Sequence, residues 1–313
     1  MRETTVMTII QKSLRTTELE IAYLETGPDG GQPVVLFHGF PDCARSYTEV
    51  MLALADQGYK AFAPFLRGFA PTQFLAESTP RTGDMAALGQ DAIDFFDALT
   101  LQNAVVVGQD WGSSIAEILT FSRQSRVSKL VKLNWYGVYS MAESAKSHGF
   151  DYGRMRNNWY IWLLNTPLGE PVMTFDVENF CRALWEQWSP SWMPEKLSTA
   201  FDDAKRSSQS PDFGKIVLSA YRSGVSGVDD DKRHDELRTL IGQPPAITYE
   251  TIVLTGADDT VESGLSEEAV KRYFKGGLEY KMVEGAGHFI HRQRPDEVID
   301  AILTDRHRKQ QEQ

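Results

Sequence analysis

The stretch Val105-Val106-Val107-Gly108-Gln109-Asp110-Trp111-Gly112-Ser113-Ser114 decides how this chain is read. Three consecutive valines suit a strand buried on both faces. The run passes into small-x-acid-x-small, Gly108 to Gly112, and a helix is expected to start near Ser114. Glycines on either side allow a sharp turn that lifts the central side chain clear of the corner. This is the spacing of a nucleophile elbow, with Asp110 where serine more often stands. A carboxylate there is suited to displacement at an sp³ carbon, which leaves an alkyl ester on the side chain. Asp is also a favoured helix N-cap. Capping alone would account for Asp110 but not for the flanking glycines.

Working outward, Thr8 to Tyr23 alternates apolar and polar residues and predicts two antiparallel strands. Short apolar runs at Val34–Phe37, Lys60–Ala63 and Leu130–Leu133 predict further buried strands. Between them, Val50–Leu54 and Asp84–Leu99 carry apolar residues at helical spacing. Such alternation implies a parallel sheet with crossover helices. From Trp135 to about Thr248 the texture changes. Strand-like runs give way to amphipathic segments rich in aromatics, among them Trp135, Tyr136, Tyr139, Trp159, Tyr160, Trp162, Trp185, Trp188, Trp192 and Tyr221. After Pro244-Pro245 the rhythm returns, with strands at Thr251–Leu254 and Glu279–Val283 and helices at Glu267–Phe274 and Pro295–Leu303. The expected organisation is an α/β core over 1–134 and 249–313, interrupted by a helical cap over 135–248.

Three more segments carry chemistry at strand ends. His38-Gly39-Phe40-Pro41 follows a buried strand. Thr255-Gly256-Ala257-Asp258-Asp259-Thr260 follows another. Gly285-Ala286-Gly287-His288-Phe289 lies between a strand and the last helix. His288, flanked by glycine late in the chain, is the best-placed base of the six histidines. His148, His234 and His307 lie in polar stretches and are expected to face water, and His291, three residues past His288, could line the site, with a surface position favoured. A base needs an orienting acid. Asp258 and Asp259 are both candidates, and the Gly-x-x-Asp spacing favours Asp259. The order nucleophile, acid, histidine fits an α/β-hydrolase.

Taken together, these segments resemble the α/β-hydrolase superfamily across nearly the whole chain. That implies a mostly parallel eight-stranded sheet flanked by helices. It also implies an oxyanion hole made by the amides of Phe40 and Trp111. An Asp nucleophile followed by Trp narrows the resemblance to epoxide hydrolases and haloalkane dehalogenases. His38-Gly39-Phe40-Pro41 looks like the H-G-x-P motif of epoxide hydrolases, whereas dehalogenases commonly carry Asn at the place of Phe40. Epoxide hydrolases also use two cap tyrosines to hold and protonate the epoxide oxygen. Asn158-Trp159-Tyr160-Ile161-Trp162 and Ser219-Ala220-Tyr221-Arg222 resemble those sites, so Tyr160 and Tyr221 are the implied acids. His38, Pro41 and Trp159 are expected to line the substrate site. Leu66-Arg67-Gly68-Phe69 resembles an Asp-Arg-Gly-Tyr loop in which Leu66 replaces the Asp. The implied activity is opening of an apolar epoxide to a vicinal diol. The alternatives are a haloalkane or haloacid dehalogenase with the same triad, and a hydrolase-fold protein that binds a small ligand without chemistry.

Composition fits such an enzyme and excludes other classes. Hydrophobic residues are 42% and charged residues 24%, ordinary for a soluble globular protein. Acidic side chains outnumber basic ones 43 to 32, a net charge of −11 that repels phosphate backbones and argues against nucleic acid. The basic run Arg306-His307-Arg308-Lys309 reads as a solvated helix end. The two cysteines, Cys43 and Cys181, show no zinc-like spacing and fit a reducing compartment. No basic segment followed by an apolar one suggests a signal peptide, and no apolar run is long enough to span a bilayer. The expected setting is cytoplasmic, without membrane insertion. The expected partners are a small hydrophobic epoxide and water, with no metal or organic cofactor. A homodimer is open.

Overall fold

The computed structural model describes residues 8–134, 137, 138, 152–226, 231–261, 268 and 271–304. Among the described residues, nine strands form one sheet. They are β1 (Ile10–Arg15), β2 (Leu19–Thr26), β3 (Pro33–Phe37), β4 (Lys60–Pro64), β5 (Gln73–Phe74), β6 (Ala104–Gln109), β7 (Val127–Leu133), β8 (Thr251–Gly256) and β9 (Leu278–Val283). Eight follow the path β1-β2-β4-β3-β6-β7-β8-β9, and the two-residue β5 pairs with β2 off it. β2 is antiparallel to β1 and β4, and every pairing from β4 to β9 along the path is parallel. This is the expected eight-stranded α/β-hydrolase sheet with one short addition.

The valine run explains the centre. All of β6 is buried, since it is paired on both sides and covered on both faces. In register, Phe37 of β3 lies opposite Gly108 of β6. The loops that follow these two strands therefore leave the sheet side by side. Open α/β sheets bind ligands at such a place.

Helices α1 (Thr48–Asp56) and α2 (Met85–Ala98) cover the first half of the sheet, and Asp84 caps α2 through Ala87 N–H at 2.8 Å. Helix α3 (Trp111–Ser122) begins at Trp111, three residues before the expected start. The elbow leaves only Asp110 between strand and helix. Between β7 and β8 no strand occurs among the described residues. Instead come α4 (Tyr152–Asn157), α5 (Trp159–Leu164), α6 (Gly169–Phe175), α7 (Val177–Trp188), α8 (Pro194–Ala204), α9 (Phe213–Ser226) and α10 (Asp235–Gly242). Trp185 Nε1 donates to Pro41 O at 3.3 Å, and Gly83 N–H donates to Ser219 Oγ at 2.9 Å, so these helices are fastened to the loops of the sheet. The chain ends on α11 (Ile290–Gln293) and α12 (Pro295–Leu303).

Some expectations need correction. His234 is buried beside Glu18, at 3.9 Å, within a network that also holds Arg67 and Arg233. His291 is buried too, because Asp42 waits for it inside the protein. Of the helix expected at Glu267–Phe274, Glu268 is helical and Lys271–Tyr273 form a 3-10 turn. Trp135, Tyr136, Tyr139, His148, Glu267 and the basic run 306–309 lie outside the described residues. No described helix is long and apolar enough to cross a membrane.

Candidate active site

Asp110 sits at the β6–α3 corner with φ +52°, a left-handed conformation that side chains other than glycine seldom adopt. Its side chain makes no helix-cap bond, which removes the simple capping reading. Instead Oδ1 accepts the Phe40 N–H at 2.8 Å, and Oδ2 lies 3.6 Å from His288 Nε2. The close approach explains a glycine. A Cβ on Gly39 would lie 2.4 Å from Asp110 Cβ and 2.6 Å from Oδ1. Trp111 is the first helical residue, so its amide is one of the donors that a helix leaves unused by its own ladder.

His288 and Asp259 complete the chain of contacts. His288 Nδ1 is 2.9 Å from Asp259 Oδ2, and the carboxylate is fully buried. Asp259 is further held by Val261 N–H on Oδ1 at 2.8 Å and by Asn134 Nδ2 on Oδ2 at 2.7 Å. Asp258 points elsewhere, its Oδ2 accepting from Ser191 Oγ at 2.5 Å. Of the two aspartates, Asp259 is the one that meets His288. Asn134, at the end of β7 with φ +92°, had no signal in the sequence beyond its place at a strand end. Burial works against a charged His288 ring, but Asp259 and Asp110 outweigh it, and the imidazole pKa rises to about 10. The loop that carries the histidine is tied from above. His288 N–H donates to Trp188 O at 3.0 Å and to Ser189 Oγ at 3.1 Å, at the end of α7.

An aromatic cluster surrounds Trp111, the residue after Asp110. Phe40 is fully buried and stacks on Trp111 with centroids 5.3 Å apart. Tyr221 packs against Phe40 at 5.5 Å and Trp111 at 5.7 Å, and Tyr160 meets Tyr221 at 5.4 Å and Trp188 at 5.2 Å. The two expected tyrosines are therefore brought together, next to the residue that follows Asp110. The Tyr160 hydroxyl donates to Asn158 Oδ1 at 3.2 Å.

Other expected residues take different roles. His38 is buried with both ring nitrogens engaged. Nε2 accepts Leu66 N–H at 3.2 Å, which leaves Nδ1 to donate to Gly39 O at 3.0 Å. Burial lowers its pKa to about 4. A neutral ring is thereby engaged by two backbone groups. Pro41 is buried, with its carbonyl turned to Trp185. Trp159 is 37% exposed, its indole N–H on Gln187 Oε1 at 2.6 Å, and it braces the Tyr160 ring from outside at 6.4 Å. Arg67, from the altered loop, is fully buried and forks onto Asp91 at 2.6 and 2.7 Å, a structural pin. No group of three or more His, Cys, Asp or Glu among the described residues could hold a metal ion.

Comparison with known proteins agrees with this architecture. The sequence profile of the alpha/beta hydrolase family matches residues 34–301. An epoxide hydrolase from Caballeronia sordidicola is 36% identical, over 90% of this chain and 89% of that protein. Epoxide hydrolase A from Mycobacterium tuberculosis is 23% identical over 94% of this chain and 96% of its own length. The crystal structure of a candidate epoxide hydrolase from Klebsiella pneumoniae superposes with a TM-score of 0.86 at 29% identity, covering 94% of this chain and 96% of that one. With its fold, its sequence profile and these relatives in agreement, the chain belongs to the α/β hydrolase family, in the branch that contains the epoxide hydrolases.

Proposed function

We propose that this protein is an epoxide hydrolase that opens an apolar epoxide to a vicinal diol through an alkyl ester on Asp110. The observation that carries the reading is the position of Asp110. One oxygen is held by the Phe40 amide at 2.8 Å, the other faces His288 at 3.6 Å, and Tyr221, itself packed on Tyr160, lies against the adjoining Trp111. We read 135–248 as the cap that brings Tyr160 and Tyr221 to the site.

With Oδ1 engaged by Phe40, Oδ2 is the attacking oxygen. It displaces the epoxide oxygen from one ring carbon, and Tyr160 or Tyr221 gives that oxygen a proton. Such help typically contributes about 10²–10⁴-fold, because an alkoxide is a poor leaving group. The new C–O bond turns the carboxylate into a neutral ester. That removes the Asp110 charge, one of the causes holding the His288 pKa near 10. The ring then becomes a competent base only once there is an ester to hydrolyse. It takes a proton from water, hydroxide adds to the Asp110 carbonyl carbon, and Oδ1 becomes the oxyanion between the Phe40 and Trp111 amides. Losing one such donor typically costs about 3–4 kcal/mol. The Cγ–Oδ2 bond breaks, Oδ2 takes back the proton held on His288, and the diol leaves with Oδ2, so the oxygen from water stays in Asp110.

Single-turnover reaction in heavy-oxygen water tests this directly. Styrene oxide and longer aliphatic epoxides should yield diols, with the label in the peptide containing Asp110 and none in the first-turnover diol. Label in that diol would reject the ester. Halide release from haloalkanes without epoxide turnover would favour a dehalogenase, a reading weakened by the buried, stacked Phe40. Absence of any adduct on Asp110 would favour a binding protein.

A further inference from the structure

Asp42 stands two residues beyond Phe40 in the loop after β3, with its carboxylate fully buried. A buried charge is costly unless it is paired and hydrogen-bonded. Here the pairing is complete. His291 Nε2 lies 3.1 Å from Oδ2. Arg292 reaches both oxygens, Nε to Oδ2 at 2.9 Å and Nη2 to Oδ1 at 2.6 Å, and Cys43 N–H donates to Oδ1 at 2.8 Å. Both side-chain partners come from α11, which begins two residues after His288. They are themselves fixed, the His291 ring on Tyr47 at 4.6 Å and Arg292 over Trp185 at 5.4 Å. On the other side, Asp42 N–H donates to Gly39 O at 3.0 Å, which closes a turn around Phe40. Buried ion pairs of this kind contribute little net stability, and their best-attested use is to fix a geometry.

We propose that Asp42 is a positioning residue for ester hydrolysis: through His291 and Arg292 it locks the Phe40 amide, which receives the oxyanion, to the loop of His288, which activates the water. The proposal rests on the alkyl-ester reading above. During alkylation, negative charge leaves the Asp110 carboxylate, so a loosened Phe40 amide costs little. During hydrolysis, charge builds on Oδ1, and the same loosening raises the barrier. Asp42 therefore governs one half-reaction far more than the other.

The test is steady-state and single-turnover kinetics with styrene oxide on the native protein, Asp42→Asn and His291→Phe. Slow ester hydrolysis lowers kcat and KM together. Asp42→Asn should reduce both by about tenfold, keep kcat/KM within about twofold of native, and accumulate the adduct on Asp110. His291→Phe keeps the ring stack and leaves Arg292 on the carboxylate, so it should move kcat and KM the same way but less. It carries the test if Asp42→Asn fails to fold. A merely structural role would lower kcat and kcat/KM equally at constant KM. That pattern, or native kcat in both variants, overturns the proposal alone. A native protein that forms no adduct overturns the alkyl-ester reading, and this proposal with it.

Discussion

A proton on His288 is balanced by two carboxylates, and this has a consequence for stability. The ring pKa in the folded protein, about 10, lies above its ordinary value of 6.5. The favourable contribution is complete below about 6.5 and is lost as pH rises through about 10. Melting temperatures of the native protein and His288→Gln should therefore converge on the alkaline side. A gap that widens there would contradict the ion-pair assignment. The same substitution should slow ester hydrolysis by about 10²–10⁴-fold while alkylation proceeds, so that mass spectrometry finds the adduct on Asp110. Replacing both Tyr160 and Tyr221 by Phe should do the opposite, slowing alkylation by about 10²–10⁴-fold with no adduct accumulating. The places of Asp110, His288 and the Phe40 and Trp111 amides were legible as residue types at strand ends. The choice between Asp258 and Asp259 was not, since adjacent aspartates differ only in which neighbours they meet. Asn134 and Ser191 supply that difference, and both are remote in sequence. His291 and His234 were misread for a related reason. Polar neighbours along the chain say nothing of Asp42 or Glu18, which come from distant loops.

Among elements, the strands were the most legible, because β6 and its neighbours are covered on both faces and must be continuously apolar. Helix starts were less so. The elbow delivers the chain into α3 without a capping side chain, so the usual punctuation is absent at Trp111. The β3 loop and the elbow meet so closely that Gly39→Ala tests their fit. The added methyl would sit 2.4 Å from Asp110 Cβ, with the Gln109 carbonyl at 2.6 Å on another side. Overpacking of this kind typically costs about 1–3 kcal/mol. The expected result is a lower melting temperature together with slowed alkylation, because the Asp110 carboxylate itself must move. Native alkylation rates in Gly39→Ala would show that the loop can yield.

At the scale of the molecule, a buried pair joins the two elements that bracket the site. Lys132 of β7 is bonded to Glu117 of α3, both almost wholly out of solvent, and Glu117 also accepts the Val138 N–H at 2.5 Å. Lys132→Met should destabilise by about 3–5 kcal/mol, because it strands a carboxylate in the interior, and adding Glu117→Leu should recover much of that loss. Chemical denaturation measures both, and equal losses in the single and double variants would refute the argument. A last consequence concerns recombination between relatives. The 285–289 loop hangs from the carbonyl of Trp188 and the hydroxyl of Ser189, which lie between β7 and β8 and not in the sheet. Grafting a foreign segment between β7 and β8 would exchange that anchor. A chimera that keeps every residue of the host core would still misplace its histidine, so a successful crossover must carry the end of α7 and the 285–289 loop from the same parent.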